Sequence, residues 1–206
     1  MTEPPAAQTA GPPARIAGLL LAAGAGRRYG RPKALVDNGS GPWVLRSLDA
    51  LAGCEPRVVV VGASRDEVVT LLPAGTVVVD NPGYPEGMGS SLRIGLRSLT
   101  SVDHSVAAVD AVLVLLVDLP GVGREVVHRI RAAAGPSHRA RTLLARAAFR
   151  GIPSHPVLLG RDHWPGVIDT ATGDSGAREY LTAHPPLLVE CGDIGSGEDV
   201  DRPPTG

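Results

Sequence analysis

Residues 19–35 read LLLAAGAGRRYGRPKAL, an apolar run that passes directly into a loop rich in glycine. Gly24, Gly26 and Gly30 permit positive φ angles and let backbone N–H groups approach an anion closely. The same loop carries four cationic residues: Arg27, Arg28, Arg31 and Lys33. Lys33 is the single lysine of the chain, and its compact ammonium suits one phosphate oxygen. The stretch therefore predicts a phosphate-binding loop at the end of a buried strand.

The spacing within this loop argues against two common phosphate-binding motifs. A P-loop requires Gly-Lys followed by Ser or Thr, whereas Gly30 is followed by Arg-Pro-Lys-Ala. A dinucleotide fingerprint requires G-x-G-x-x-G, but Gly30 lies one residue too far from Gly26, and Pro32 interrupts the helix that should follow. An NAD-dependent enzyme is therefore not supported by these glycines.

The composition predicts a single domain with an aliphatic core. Of the 206 residues, 43% are hydrophobic, yet the chain has only one Phe, two Trp and three Tyr. The scarcity of aromatic residues and the net charge of −1 argue against nucleic acid as a partner. No apolar run approaches the roughly 18 residues of a membrane span, so we expect no membrane partner either.

The termini and cysteines predict a cytoplasmic protein. Residues 1–14 lack the cationic start and apolar segment of a signal peptide, and we expect them to form a disordered tail ahead of one domain at residues 15–206. Cys54 and Cys191 match no metal-binding spacing, so we expect two buried thiols in a reducing compartment.

Strand and helix patterns alternate along the chain. Apolar runs predict strands at residues 16–22, 57–61, 76–79, 111–117, 157–159 and 187–189, with a further strand of unclear register within 139–149. Helical spacing predicts helices at residues 43–51, 65–72, 90–99, 123–134 and 176–183. This alternation predicts an α/β fold, a three-layer α/β/α sandwich around a Rossmann-like, mostly parallel sheet.

Asp118 follows the most hydrophobic strand of the sequence, at the edge of an open α/β sheet where ligands bind. A bare aspartate at such a position is often only a turn former or a helix cap. The residues by themselves leave both interpretations open.

Several motifs resemble those of the MobA-like nucleotidyltransferases. Residues 21–33, LAAGAGRRYGRPK, are similar to the family's signature loop, and the resemblance runs in order from residue 15 to residue 201. It implies a nucleotide-diphospho-sugar transferase fold of the GT-A type. Residues 81–92 resemble a segment that lines the nucleotide site, although a capped surface helix is the alternative. The implied nucleotide-binding residues are Leu21, Ala22, Ala23, Gly24, Ala25, Gly26, Lys33, Asn81, Gly87, Ser90, Ser91 and Asp118.

The resemblance also implies a magnesium site. V-D-L-P at residues 117–120 is similar to the family's magnesium-binding turn, which makes Asp118 a metal ligand, and Asp201 stands in a degraded copy of the element that supplies a second aspartate. Arg202 replaces a threonine there, so an exposed acidic tail remains an alternative for Asp199 and Asp201. Mg²⁺ is the expected cofactor, with Mn²⁺ as a substitute.

Two further motifs concern the acceptor. Residues 151–156, GIPSHP, resemble a family turn, and residues 173–178, GDSGAR, resemble a segment of the molybdopterin cytidylyltransferase branch. His155 and Asp174 are the implied acceptor-binding residues. A structural histidine in a proline turn and an N-cap aspartate are the alternatives.

Together with Ala23 in LAAG, these motifs imply transfer of CMP from CTP to a phosphomonoester acceptor such as molybdopterin, with Lys33, Arg28 and Asp118 as catalytic residues. Sugar-phosphate and methylerythritol-phosphate nucleotidyltransferases, and a non-catalytic nucleotide-binding maturation protein of the same fold, are the alternatives. No motif identifies a molybdoenzyme or an oligomer partner.

Overall fold

The computed structural model describes residues 11–101 and 109–202. Within them the strands are β1 (Ile16–Leu21), β2 (Arg57–Val61), β3 (Val77–Asp80), β4 (Ala111–Leu116), β5 (Leu144–Phe149), β6 (Ile152–Gly160) and β7 (Leu187–Glu190). The α-helices are α1 (Trp43–Ala50), α2 (Arg65–Leu71), α3 (Met88–Ser101), α4 (Arg124–Ala134), α5 (Ser137–Thr142), α6 (Trp164–Thr170) and α7 (Arg178–Ala183).

The strands form one sheet in the order β3-β2-β1-β4-β6-β5-β7. Strands β1 to β4 run parallel to their neighbours in that group, and β5 runs parallel to β7. Strand β6 is antiparallel to both β4 and β5. The predicted mostly parallel sheet is therefore confirmed, with one reversed strand inside it.

Helices cover both faces of the sheet. Ile16 and Leu20 of β1 belong to an apolar cluster that includes buried residues of α1 and α4, whereas Leu19 and Leu21 belong to a second cluster with α3 and α6. Since side chains alternate along a strand, β1 is buried on both faces, as its unbroken apolar run predicts. The three-layer α/β/α sandwich is confirmed.

Helix α3 lies close to the sheet because of a glycine. A Cβ atom added at Gly95 would stand only 2.7 Å from Leu19 Cδ1 and 3.1 Å from Val60 Cγ2. The absent side chain therefore permits close packing of α3 on β1 and β2, which brings the start of the helix to the carboxyl edge of the sheet.

The structure corrects the prediction of a turn at residues 151–156. The turn lies at Arg150 and Gly151, which both have positive φ angles, and the chain then enters β6 at Ile152. Residues 153–156 lie within this strand, where the register with β5 shifts between Arg146 and Ala148. A shifted register tolerates prolines that would interrupt a regular ladder, and this explains why a strand resembles a turn in the sequence.

The predicted strand within residues 139–149 is β5, and α5 precedes it. Within residues 1–14, which were predicted to form a disordered tail, Pro12 O accepts a hydrogen bond from Ser137 N at 3.0 Å, and Pro13 pairs with Pro136. Residues 1–10 lie outside the described part of the chain. Cys54 and Cys191 are free and buried, as expected.

None of the helices in residues 11–101 and 109–202 has the length and apolar character needed to cross a membrane.

The central strands should dominate the stability of the fold. Leu113 of β4 is fully buried, so Leu113→Ala is expected to lower the free energy of unfolding by about 2–5 kcal/mol through lost burial and an unfilled cavity. Leu187→Ala in the edge strand β7 is the matched control, because Leu187 is 46% exposed. Urea unfolding measures both variants, and equal losses would contradict the assignment of β4 to the centre of the core.

Candidate active site

The loops after β1 and β4 meet at the carboxyl edge of the sheet. Leu21 is paired with Leu116, and Val117 N donates a hydrogen bond to Leu21 O at 3.3 Å. On the other side of β1, Ala22 N donates to Val60 O at 3.0 Å. The parallel register therefore places residues 22–33 directly beside Asp118.

The glycine-rich loop is held open by its own backbone. Tyr29 N and Gly30 N both donate to Gly26 O, at 2.9 and 2.8 Å. Gly26 has a φ of +60°, and a Cβ atom there would overlap the carbonyl of Arg31, so this position requires glycine. In contrast, apart from Gly24 and its two chain neighbours, no atom of the described residues lies within 4 Å of a Cβ position at Gly24, which leaves open space in front of the exposed backbone there.

Lys33 joins two carboxylates at the end of this loop. Its Nζ donates to Asp118 Oδ2 at 2.9 Å and to Asp201 Oδ1 at 2.8 Å. Arg28 Nη1 lies 3.3 Å from Asp201 Oδ2. We call these four residues the Lys33 cluster. The structure thus brings together the predicted catalytic residues and the predicted metal ligands, although Arg28 and Asp201 are 173 residues apart.

The segment that follows β7 carries Asp201 into the Lys33 cluster. Ser196 N donates to Gly121 O and Val200 N to Asp118 O, each at 3.1 Å, and Ser154 Oγ donates to Gly197 O at 3.1 Å. These bonds lay the segment across the ends of β4 and β6. The alternative of an exposed acidic tail therefore describes Asp199, which is exposed, but not Asp201.

The charges of the cluster balance one another. Burial opposes a charged Lys33, but its hydrogen bonds to Asp201 and Asp118 outweigh burial and raise the pKa of the ammonium. The hydrogen bond from Lys33 in turn lowers the pKa of Asp201. The Lys33 side chain is only 14% exposed, so solvent screens these interactions less than those of an ordinary surface pair.

A divalent cation fits the two carboxylates. Asp118 Oδ1 is buried and has no hydrogen-bond partner among the described residues, whereas Oδ2 faces Lys33. Buried acceptors are rarely left unpaired without a reason, such as an ion. The described residues contain no group of three or more His, Cys, Asp or Glu that could hold a metal. One or two carboxylates completed by phosphate oxygens and water are the usual ligands of Mg²⁺.

Asn81, Ser90 and Ser91 form a buried hydrogen-bonded group at the start of α3. Asn81 Nδ2 donates to Ser90 Oγ at 3.0 Å and to Ser91 Oγ at 2.9 Å, and Ser90 Oγ lies 2.9 Å from Gly87 O. Since these side chains bond to one another and to backbone, they fix the position of residues 81–91 at the sheet edge. A nucleotide bound at this edge would contact the backbone of residues 81–91.

Residues 172–176 pack against the turn before α3. A Cβ atom at Gly89 would lie 2.8 Å from Thr172 backbone, and one at Gly87 would lie 2.7 Å from Asp174 Oδ1. The structure rejects the interpretation of Asp174 as an N-cap, because α7 begins at Arg178 with Ala177 before it. Asp174 is exposed at the rim of the site, in a short 3₁₀ turn.

His155 lies in β6, not in a turn, two residues before Val157, which pairs with Val114 of β4. Burial of the ring, assisted by the positive charge of Arg146, lowers the pKa of His155 to about 4. The imidazole is therefore neutral near pH 7, and it can offer a hydrogen bond to an acceptor but no positive charge.

Two arginines differ from the sequence-based expectations. Arg146 of β5 was not predicted as a site residue, and Arg31 was predicted to belong to the phosphate-binding loop. Arg146 is the one charged residue in the strand LARAAF, which was the available signal. Arg31 turns away from the Lys33 cluster, since its Nη2 donates to Leu35 O at 2.8 Å.

A cavity of about 540 Å³ lies on the α1 side of the sheet and contains none of the predicted site residues. Trp43, Val117 and Leu119 line it, with the Asp49–Arg124 ion pair at its rim. The functional groups converge instead at the Lys33 cluster, which is the candidate active site.

The fold places a glycine-rich loop after β1 and two carboxylates at the sheet edge where open α/β sheets bind ligands. Residues 18–187 match the model of the MobA-like NTP transferase domain, and the chain belongs to that family.

Two relatives and two solved structures illustrate the similarity. The chain is 34% identical over 201 residues to nicotine blue oxidoreductase of Paenarthrobacter nicotinovorans. The aligned residues cover 90% of this chain and 92% of that protein. It is 32% identical over 157 residues to molybdenum cofactor guanylyltransferase of Rhodobacter capsulatus, covering 75% and 68% of the two proteins.

The structure of Rv0371c from Mycobacterium tuberculosis H37Rv has a TM-score of 0.71 and 24% identity over 92% of this chain and 94% of that one. A complex of the same protein with manganese has a TM-score of 0.62 and 22% identity, covering 87% and 88% of the two chains. These structural similarities show the shared fold.

The low pKa of His155 predicts a pH-dependent loss of stability. In the unfolded chain the ring takes up a proton near pH 6.5, whereas the folded protein resists protonation until about pH 4. The unfolded state therefore binds more protons between these values, and stability falls as the pH decreases through them. His155→Gln should lose less unfolding free energy than wild type between neutral pH and about pH 4.5.

Urea unfolding at each pH measures this difference. His128→Gln is the control, because His128 is an exposed histidine on α4, and it should retain the wild-type dependence. Parallel curves for wild type and His155→Gln would show that the ring protonates freely in the folded protein.

Proposed function

We propose that the protein is a metal-dependent nucleotidyltransferase of the cytoplasm that moves CMP from CTP to a phosphomonoester acceptor of the molybdopterin type. The observation that carries the proposal is the Lys33 cluster. Two carboxylates and two cations meet beside an open glycine-rich loop at the ligand-binding edge of the sheet.

In the proposed reaction an oxygen of the acceptor phosphate forms a bond to the α-phosphorus of the NTP. The bond from that phosphorus to the oxygen bridging to the β-phosphorus breaks, and its electron pair leaves with pyrophosphate. The second pKa of a phosphomonoester is about 6, so the group is already ionised at neutral pH. No general base is therefore needed. His155, whose pKa is lowered to about 4, would be a weak base, which is consistent with a reaction that needs no general base.

The chain's own groups bind and orient the triphosphate. Backbone N–H groups of residues 23–26 would bind phosphate oxygens at the open part of the loop, while Arg28 and Lys33 would neutralise phosphate charge. Asp118 and Asp201 would hold Mg²⁺ or Mn²⁺, which when bound offsets their repulsion of the triphosphate and stabilises charge on the leaving group. Lys33, released from the carboxylates, then donates to a phosphate oxygen.

The remaining nucleotide contacts are assigned to Leu21, Ala22, Ala23, Gly24, Ala25, Gly26, Asn81, Gly87, Ser90 and Ser91. The choice of CTP rests on Ala23 and on the segments at residues 87–92 and 173–178, which pack against each other at the rim. The relative named as a guanylyltransferase supports GTP as the competing donor. His155 and Asp174 are assigned to the acceptor.

An oxidoreductase is the second candidate function, because a relative that covers 90% of the chain is named as one. In that case the loop at residues 22–33 would receive the phosphates of a redox cofactor. The glycine spacing, which does not match a dinucleotide fingerprint, makes this the weaker candidate.

Donor and acceptor are tested by incubating the protein with Mg²⁺, molybdopterin and each of the four NTPs while pyrophosphate release is measured. We expect CTP to be the best donor and GTP a poorer one. Faster release with GTP would overturn the choice of base, and release only with a sugar 1-phosphate or methylerythritol phosphate would overturn the acceptor. No release with any pair, together with oxidation of a reduced nicotinamide cofactor, would favour the oxidoreductase.

The metal ligands are tested by Asp118→Asn, which keeps the shape of the side chain and removes one charge. We expect Mg²⁺-dependent turnover to fall by at least about 10²-fold, since several kcal/mol of transition-state stabilisation depend on the bound ion. Nucleotide binding in EDTA should be retained or improved, because a repelling carboxylate is gone.

Asp201→Asn should reduce turnover in the same way but more weakly, because Asp201 is the more exposed ligand. Asp199→Asn is the matched control, an exposed aspartate two residues away that lies outside the Lys33 cluster. Full turnover by Asp118→Asn would remove the metal from the mechanism.

A further inference from the structure

Arg146 carries a half-buried guanidinium that forms no ion pair with the part of the chain that the structure describes. It lies in β5 between Ala145 and Ala147, which are both fully buried. Its Nε donates to Ser154 O at 2.8 Å. Across residues 11–101 and 109–202, no carboxylate forms an ion pair with Arg146 or with the nearby Arg178.

The surroundings of Arg146 disfavour its charge. Burial, followed by the positive charge of Arg178, lowers the pKa of the Arg146 guanidinium. A buried charge normally requires an opposite charge beside it, whereas the charge of Arg178, which acts on Arg146, has the same sign. Two guanidinium groups that repel each other gain most from a shared anion, and their planar forks suit phosphate.

The position of Arg146 relates it to the Lys33 cluster. Arg146 pairs with Val157 of β6, and Val157 pairs with Val114 of β4. The bond from Arg146 Nε reaches Ser154, three residues before Val157 and nearer the start of β6. Because β6 is antiparallel to β4, the side chain extends towards the carboxyl end of β4, where Asp118 lies. Ser154 Oγ also holds Gly197 in the segment that delivers Asp201.

The sheet order places Arg146 and the glycine-rich loop on opposite sides of β4. Residues 22–33 follow β1 on one side of β4, whereas β6 and β5 lie on the other side. Neighbouring strands are about 4.8 Å apart, so Arg146 lies roughly 10 Å across the sheet from β4. Arg178 begins α7, after the loop at residues 172–176 that packs on Gly87 and Gly89, and its positive charge acts on Arg146.

We propose that Arg146 and Arg178 form an anion site that binds the phosphate of the acceptor, on the side of Asp118 opposite the donor loop. The identification of this anion as the acceptor rests on the proposed function; the anion site itself does not. The neutral ring of His155, which lies within the electrostatic influence of Arg146, supplies a hydrogen bond and adds no further charge.

Inorganic phosphate is the probe, and its binding is measured by calorimetry at constant ionic strength, since salt screens such contacts. Lys33→Ala serves as the background because it removes the main cation of the donor loop. We expect Lys33→Ala to retain phosphate binding, and the added change Arg146→Gln or Arg178→Gln to weaken it at least tenfold. Arg139→Gln, at an exposed arginine of α5, is the matched control and should leave phosphate binding unchanged.

A second readout separates binding from a merely structural role. Phosphate bound beside Arg146 adds negative charge near His155, so the pKa of this ring, followed by NMR, should rise from about 4 as phosphate is added. Arg178→Gln should abolish the rise. Because Arg178 is exposed, this variant is expected to fold even if Arg146→Gln does not.

Unchanged phosphate binding in both double variants would overturn the anion site, as would a His155 pKa that does not respond to phosphate. The experiments distinguish failure of the anion site from failure of the proposed nucleotidyltransferase activity. If wild type releases pyrophosphate but neither arginine variant raises KM for the acceptor, the assignment to the acceptor is wrong and the nucleotidyltransferase stands. If no pyrophosphate is released while the arginine variants lose phosphate, the anion site stands without the function.

Discussion

The bridge of Lys33 between Asp118 and Asp201 is the interaction on which the site depends. It requires three segments at once: the loop after β1, the turn after β4 and the segment that follows β7. Removal of either carboxylate leaves charge uncompensated in a largely buried position, and removal of the ammonium leaves two carboxylates in repulsion. In the proposed function the same two carboxylates would hold a divalent cation, so the bridge of Lys33 also positions the proposed metal ligands.

The reversed strand β6 organises the other half of the site. Because β6 runs antiparallel between β4 and β5, residues near its start lie at the carboxyl edge of β4. This brings His155 and Ser154 near Asp118 and directs Arg146 towards it. A purely parallel sheet would place the amino end of this strand at the opposite edge, far from the donor loop.

Much of the fold was predictable because its central strands are buried on both faces. Strand β2 has the predicted bounds, and β1 and β4 differ from prediction by one residue at their ends. The start of β6 was not predictable, since prolines and polar residues at 153–156 resemble a turn. The positive φ of Arg150 that makes the hairpin leaves no signal in a non-glycine residue.

The sequence by itself determined the glycine-rich loop, the position of Asp118 after an apolar strand and the alternation of elements. These depend on neighbours a few residues away and on hydrophobic pattern. Tertiary structure decided that Asp201, 168 residues from Lys33, joins the cluster while Asp199 does not. It also decided that Asn81 bonds to Ser90 and Ser91, that the pKa of His155 is lowered, and that Arg146 has no ion-pair partner within the described ranges. Burial and electrostatic partners are set by contacts between distant segments, which no local pattern records.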